Sequence, residues 1–190
     1  AIFGPWLAPF SPSEIDLTNE YVRPSESHWL GTTDNGVDIL SVILHGARLA
    51  GLVGITVVAI SLVLGTLAGM AAAYRGGKLD HAITGFADLM QPFPSVMLNV
   101  AMLALVAKPG VLHLVLALLP SGWVIYARIA RAQTLTLRER EYVQAGRALG
   151  MSDRRIILRH IFPNLASPLA IQATSHLGGA ILAESTLSFL

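Results

Sequence analysis

The chain alternates long apolar runs with short polar breaks, and most of its charge sits in the breaks. Residues 49–74 are 26 positions without a charged side chain. A hydrocarbon core about 30 Å thick needs about 20 helical residues, so this run predicts a membrane span with length left for tilt. Within it Gly65, Gly69 and Ala73 recur at every fourth position, a spacing that lets a second helix approach closely. Arg75 closes the run, and RGGKLDH (75–81) reads as a polar turn. Residues 82–107 predict a second span, interrupted by Asp88, Gln91, Pro92, Pro94 and Asn99, with the prolines kinking or opening the helix. KPG (108–110) reads as a turn, and 111–129 as a third span weakened in its middle by Pro120, Ser121 and Gly122. Residues 165–183 predict a fourth span, containing Pro168, Gln172, His176, Gly178 and Gly179. Upstream, 11–38 is polar and turn-rich, and 39–48 reads as a short amphipathic helix leading into the first complete span; together they form a loop, 11–48. The apolar residues 1–10 read as the tail of an earlier helix, and both chain ends read as cut.

Between the third and fourth spans lies the polar segment 130–164. Residues 126–149 have helix-forming composition. Gly150 is placed to end that helix in a left-handed conformation, and Ser152 to cap a second helix with Asp153 in its first turn. The second helix is expected to run over about 153–162 and to stop at Pro163, because the residue before a proline avoids helical dihedrals. Ala145, Gly146, Ala148 and Leu149 give the turn a small-residue surface that a partner's backbone can approach. Flanking arginines can pair with a partner's acids.

Composition agrees with a membrane protein. The 190 residues are 53% hydrophobic and only 13% charged, about half the charge of a soluble domain. The net charge of +1 gives no global basic field for nucleic acid. Its distribution is more informative. Residues 1–48 hold two basic and six acidic side chains, whereas 128–160 hold eight arginines against three acids. Lys and Arg collect on the cytoplasmic side, and 75–81 and 128–160 are two spans apart. Both are therefore expected inside, with 11–48 and 108–110 outside.

The absence of cysteine removes disulfide, Cys-zinc and thiol-nucleophile chemistry. The six histidines form no HExxH pattern, and no GxxxxGK[ST] phosphate loop is present, so ATP binding by this chain is not expected. Asp88, Gln91, Asn99, Gln172, His176 and Glu184 are the polar groups at membrane depth. Such groups line a path or bond between helices. Position near the span ends favours hydrogen bonding between helices for Asp88 and Glu184. The broken stretch Gln91, Pro92, Phe93, Pro94, with Asn99, Gln172 and His176, is the candidate pathway lining.

The run EYVQAGRALGMSDRRIILRHIFPN (141–164) resembles the cytoplasmic EAA loop of permease subunits in binding-protein-dependent ABC importers. The nearest pattern is that of the dipeptide/oligopeptide/nickel group, YVxAARALGxSxxRIxxRHILPN. HWLGTTDNGVDILSVILHGAR (28–48), Asp88 with Phe93-Pro94-Ser95, Trp123 with Ala127-Arg128 and Arg131, and AESTLSFL (183–190) resemble further family motifs in family order. Departures are Gln144, Ala145, Gly146 for Glu-Ala-Ala, Phe162 for Leu, and Val37 and Val42 for arginines. The family's six-span plan implies that part of a first helix and all of a last one are missing.

The resemblance implies an all-α, polytopic membrane protein with the ABC importer transmembrane-domain fold and a coupling-helix loop. It implies a non-catalytic subunit forming half of a pathway for peptides or a similar small solute. The implied partners are a homologous permease subunit, two cytoplasmic ATPase subunits that hold ATP and magnesium, an external substrate-binding protein, and membrane lipid. The implied docking residues are Glu141, Gln144, Ala145, Gly146, Arg147, Leu149, Gly150, Ser152, His160 and Pro163. Two other readings fit the kinked polar spans less completely. An ATPase-independent transporter or channel leaves the loop motif unexplained, and an intramembrane enzyme lacks paired catalytic residues.

Overall fold

The computed structural model describes residues 4–106, 108 and 110–189. The expected helix tail at 1–3, the span end at Ala107, the turn residue Pro109 and Leu190 lie outside the described residues. The fold is all-α, with no strand among the described residues. The chain divides into two compact units, 1–53 and 54–190.

In the first unit a single helical turn, α1 (Gly4–Leu7), precedes a looped segment and a 3-10 turn at Leu17–Asn19. An isolated antiparallel bridge pairs Thr32 with Asp38. Asp38 stands just before α2 (Ile39–Arg75) and caps it, accepting from the Ser41 N–H at 2.9 Å and the Ser41 hydroxyl at 2.8 Å. His28 Nδ1 lies 3.0 Å from the other Asp38 oxygen. Burial pushes the Asp38 carboxyl up, but the bonds from Ser41 and His28 outweigh it and hold it below the usual carboxylate range. Gly36 has a φ of +68°, and a Cβ there would run into the Asp16 backbone. The spaced His, Gly and Asp of the 28–38 run thus serve the local fold of this loop.

The short helix expected at 39–48 is not separate. It is the first three turns of α2, which runs 37 residues without a break. Nothing at 48–49 interrupts it, since Arg48 and Leu49 both carry good helix formers' side chains outward. Helices α3 (Gly77–Met90) and α4 (Ser95–Ala104) follow, with the turn 91–94 between them. The break expected from Pro92 and Pro94 is present.

Helix α5 (Val111–Arg138) is central to the second unit, packing against α3, α4 and α8 (Phe162–Phe189). It continues through Pro120, where a weakened middle is expected. The Ser121 hydroxyl donates to Leu118 O in the turn the proline opens, at 3.1 Å. The small residues of α2 sit where α5 crosses. A Cβ on Gly65 would lie 2.6 Å from Tyr126 Cβ, and one on Gly69 would lie 2.8 Å from the Ala127 carbonyl carbon. Ala73, the third of the series, is fully buried. Helices α2 and α5 are each long and apolar enough to cross a membrane, with mean hydropathy 2.3 and 1.5.

Candidate functional site: the basic loop and a polar cleft

After α5 the chain breaks at Glu139 and Arg140, and α6 (Glu141–Ala148) begins. The continuous helix expected over 126–149 is therefore two helices. Gly150 closes α6 with a φ of +78°. Its N–H donates to Arg147 O at 2.9 Å, and the Met151 N–H donates to Gly146 O at 3.0 Å, which is the Schellman pairing. Gly146 is buried, and a Cβ there would press on Met151 Sδ at 3.2 Å. The departure from Ala at this position seats Met151.

Helix α7 (Asp153–Ile156) starts at Ser152, whose backbone is extended as an N-cap requires, but its hydroxyl makes no capping bond. The expected Ser152 side-chain cap is thus absent. Asp153 does occupy the first turn.

The expected stop at Pro163 is overturned. A π-turn (Ile157–Ile161) follows α7, and α8 then carries the helix through Pro163. Proline removes the N–H that would bond the carbonyl four residues back. The wider turn absorbs this defect: the Phe162 N–H donates five residues back, to Ile157 O. The Asn164 side-chain amide then donates to His160 O at 2.6 Å.

The loop has an inner and an outer face. Val143, Ile156, Ile161, Leu165 and Leu169 pack with Met70 of α2 and Tyr126 of α5 in one buried cluster. Glu141, Gln144, Ala145, Arg147, Ala148, Gly150 and Ser152 are exposed, and Leu149 is 82% exposed at the tip. Gln144 donates to Glu139 at 3.3 Å. His160 turns back toward the loop, its ring 5.9 Å from that of Tyr142. Pro163 is exposed on the helix that leaves the loop. Arg154, Arg155 and Arg159 border an open depression with Ser152 and Leu158.

Polar ties hold the neighbouring helix ends. Arg131 grips Asp80 through two bonds of 2.6 Å, and Arg128 Nη2 reaches Asp88 at 2.6 Å. The bonds from Arg131 outweigh the upward push of burial, so the Asp80 carboxyl is held below its ordinary range. Arg138 donates to Ala73 O at 2.6 Å, satisfying a carbonyl in the last turn of α2. Asp88 is thus an inter-helix partner. Glu184 is buried and accepts from Ser188 of its own helix at 2.8 Å, in place of the expected bond between helices.

The pathway candidates divide. Gln91 and Phe93 line a cleft of about 350 Å³ with Ser95, Ser121, Ile125 and Arg128. Asn99, Gln172 and His176 line a neighbouring one of about 280 Å³, which shares Ser95, Ser121 and Ile125. Pro92 and Pro94 are exposed in the turn and line neither. The Ser121 hydroxyl also lies 3.1 Å from Asn99 Oδ1, sharing its one proton between that oxygen and Leu118 O, and the Tyr126 hydroxyl lies 3.1 Å from His176 Nδ1. The second cleft thus combines the polar side chains of Ser95, Asn99, Ser121, Gln172 and His176 with apolar ones of Val57, Leu118 and Ile125. Tyr126 and the hydroxyl role of Ser121 are not evident from the sequence, because each matters through a residue at least 22 positions away.

The chain is similar in sequence to known proteins. The chain is 39% identical over 190 residues to the dipeptide transport system permease protein DppC of Alkalihalophilus pseudofirmus, covering 100% of this chain and 62% of that protein. It is 39% identical over 189 residues to the probable D,D-dipeptide transport system permease protein DdpC of Escherichia coli, covering 100% of this chain and 63% of the relative. It is also 39% identical over 188 residues to the oligopeptide transport system permease protein OppC of Mycobacterium bovis, covering 98% and 64%. The chain thus spans less than two thirds of the length of these relatives. Residues 61–190 match the family described as binding-protein-dependent transport system inner membrane component, a stretch that holds α3 to α8, the loop and the polar cleft. The chain belongs to that family of inner membrane components.

Proposed function

We propose that this chain forms half of the translocation pathway of an ATP-driven importer and that its 141–164 loop receives cytoplasmic ATPase subunits. The observation that carries the reading is the two-faced loop: a small-residue tip with Leu149 outward, backed by a buried cluster that reaches α2 and α5. A tip backed this way moves with the helices behind it. ATP binding and closure of the ATPase subunits would shift the tip, and the helices would re-orient. The chain itself would be non-catalytic, with ATP and magnesium held by the ATPase subunits. A homologous permease subunit would supply the other half of the pathway, and an external binding protein would deliver solute. The relatives' names support a peptide or similar small solute. The charge bias supports a multi-pass arrangement with 130–164 and 75–81 inside and 11–48 outside.

The polar cleft of Asn99, Gln172 and His176 is the stretch of pathway wall this chain would contribute, with Gln91 and Phe93 in the adjoining cleft. The test is co-expression of the full-length protein with its second permease and ATPase subunits. The wild type should co-purify with the ATPase, and Leu149→Asp should lose that association while still inserting. Association that survives Leu149→Asp, or never occurs in the wild type, overturns the reading.

A further inference from the structure

Tyr74 is the second-last residue of α2 and lies outside every motif that marks the loop. Its side chain nevertheless touches the loop on both sides of the Gly150 turn. Its hydroxyl donates to Asp153 Oδ1 at 2.6 Å, on the helix after the turn. Its ring lies under the Arg147 guanidinium, 5.3 Å from centroid to Cζ, on the helix before the turn. One residue earlier, Ala73 O accepts from Arg138, so the same turn of α2 is also tied to the end of α5. Met70, a turn further back, lies in the buried cluster with Val143, Ile156 and Ile161.

We propose that Tyr74 is a positioning residue for coupling: one side chain of α2 grips both arms of the loop and carries the tip's displacement into that span. The inference rests on the docking role proposed for the loop. The loop is covalently continuous only with α5 and α8, so its motion reaches α2 directly only through side-chain contacts and otherwise by way of α5. The apolar cluster resists compression but can slide. A charge-assisted hydrogen bond and a cation over a ring fix direction as well as distance. Helix α2 in turn bears on α5 through Gly65 and Gly69, where backbone meets backbone and little slack exists. A displacement of the tip would therefore move α2 and α5 as one body.

The test compares wild type, Tyr74→Phe, Asp153→Ala and the double variant in the full-length importer reconstituted in vesicles. Solute uptake and ATP hydrolysis are measured together, per assembled complex. Tyr74→Phe keeps the ring and its packing under the Arg147 guanidinium, and removes the hydroxyl with its polar interactions. Uptake per ATP should fall about threefold in each single variant, and the double variant should fall no further, since one bond is being removed twice. An unchanged ratio in Tyr74→Phe, or multiplicative losses in the double variant, overturns the proposal. So does a lower yield of complex with an unchanged ratio, which would make Tyr74 a structural tether only. A wild-type complex in which the loop never contacts the ATPase overturns the docking reading itself, whereas a coupled wild type with an indifferent Tyr74→Phe overturns this proposal alone.

Discussion

Gly69→Ala is a single-methyl change whose effect follows from the α2–α5 crossing. A Cβ on Gly69 would stand 2.8 Å and 2.9 Å from the Ala127 carbonyl and α carbons, with the Ala127 carbonyl oxygen nearer still. Contact at van der Waals distance needs about 3.5 Å, so the two helices must part by roughly 1 Å. The opposing atoms are backbone, which cannot rotate away. Overpacking costs about 1–3 kcal/mol, and a backbone neighbour puts this site near about 3. Alanine's better helix propensity returns up to about 1 kcal/mol, leaving a net loss of about 2. Gly178 supplies the control, because a Cβ there meets nothing within 4 Å. Thermal unfolding of the full-length protein in lipid nanodiscs should show a midpoint lower by about 4–8 °C for Gly69→Ala. Gly178→Ala should match or slightly exceed wild type. If Gly69→Ala is as stable as Gly178→Ala, α2 and α5 do not meet backbone to backbone, and the reasoning fails.

Other outcomes follow from particular sites. Gly150 has a positive φ but open space around it, so its constraint is the backbone angle alone. Gly150→Val should cost about 1–2 kcal/mol of local strain and lower uptake per ATP, while Gly150→Asn, which tolerates the left-handed region, should stay near wild type in the same assay. Asp80 has a carboxyl held below its ordinary value of 3.8 by Arg131, so its stabilisation is full above about pH 4 and is lost as pH falls through the lowered value. Asp80→Asn should therefore lower the unfolding midpoint at pH 7, and the difference from wild type should shrink as pH falls through the lowered value. Asp38→Ala should cost about 2 kcal/mol, because it removes a helix cap and leaves Ser41 and His28 without their buried acceptor. Faster proteolysis within residues 11–38 would report it. His176→Ala should lower uptake while the ATPase subunits still co-purify, and loss of both together would count against a pathway role.

The sequence made the loop's turn readable because its signals are local. Gly150 needs only its own φ, and the hydrogen bonds of the turn fall within the six residues 146–151. The break at 91–94 was readable for the same reason, since two prolines two positions apart leave few helical alternatives. Pro163 misled because its stop signal is local but its remedy is not confined to it. A π-turn forms ahead of the proline, held by side chains that pack against Met70 and Tyr126, distant in sequence. The same limit hid Tyr74, whose partner Asp153 is 79 residues away. The helix at 39–48 looked separate because Arg48 marks a change in polarity, but polarity alone does not end hydrogen bonding along α2. In the cleft, sequence picked out Asn99, Gln172 and His176 as polar groups in apolar runs, and the fold placed all three on one cavity. It also grouped Pro92 and Pro94 with them, although those two shape the turn and stand apart from the cleft lining.

The central claim is that the tip of the 141–164 loop meets an ATPase subunit. This stretch of chain has no cysteine, so Leu149→Cys gives it one addressable thiol, at an 82% exposed position, to be placed in a full-length protein without other cysteines. The direct measurement is crosslinking of that thiol to ATPase subunits bearing single cysteines along their membrane-facing surface, in the assembled importer, with and without ATP. The expected result is a specific crosslink whose yield changes with ATP, and none from Leu30→Cys in the 11–48 loop. A Leu149→Cys thiol that crosslinks to no ATPase position, and that reacts with an impermeant reagent added only outside intact cells, would contradict the account.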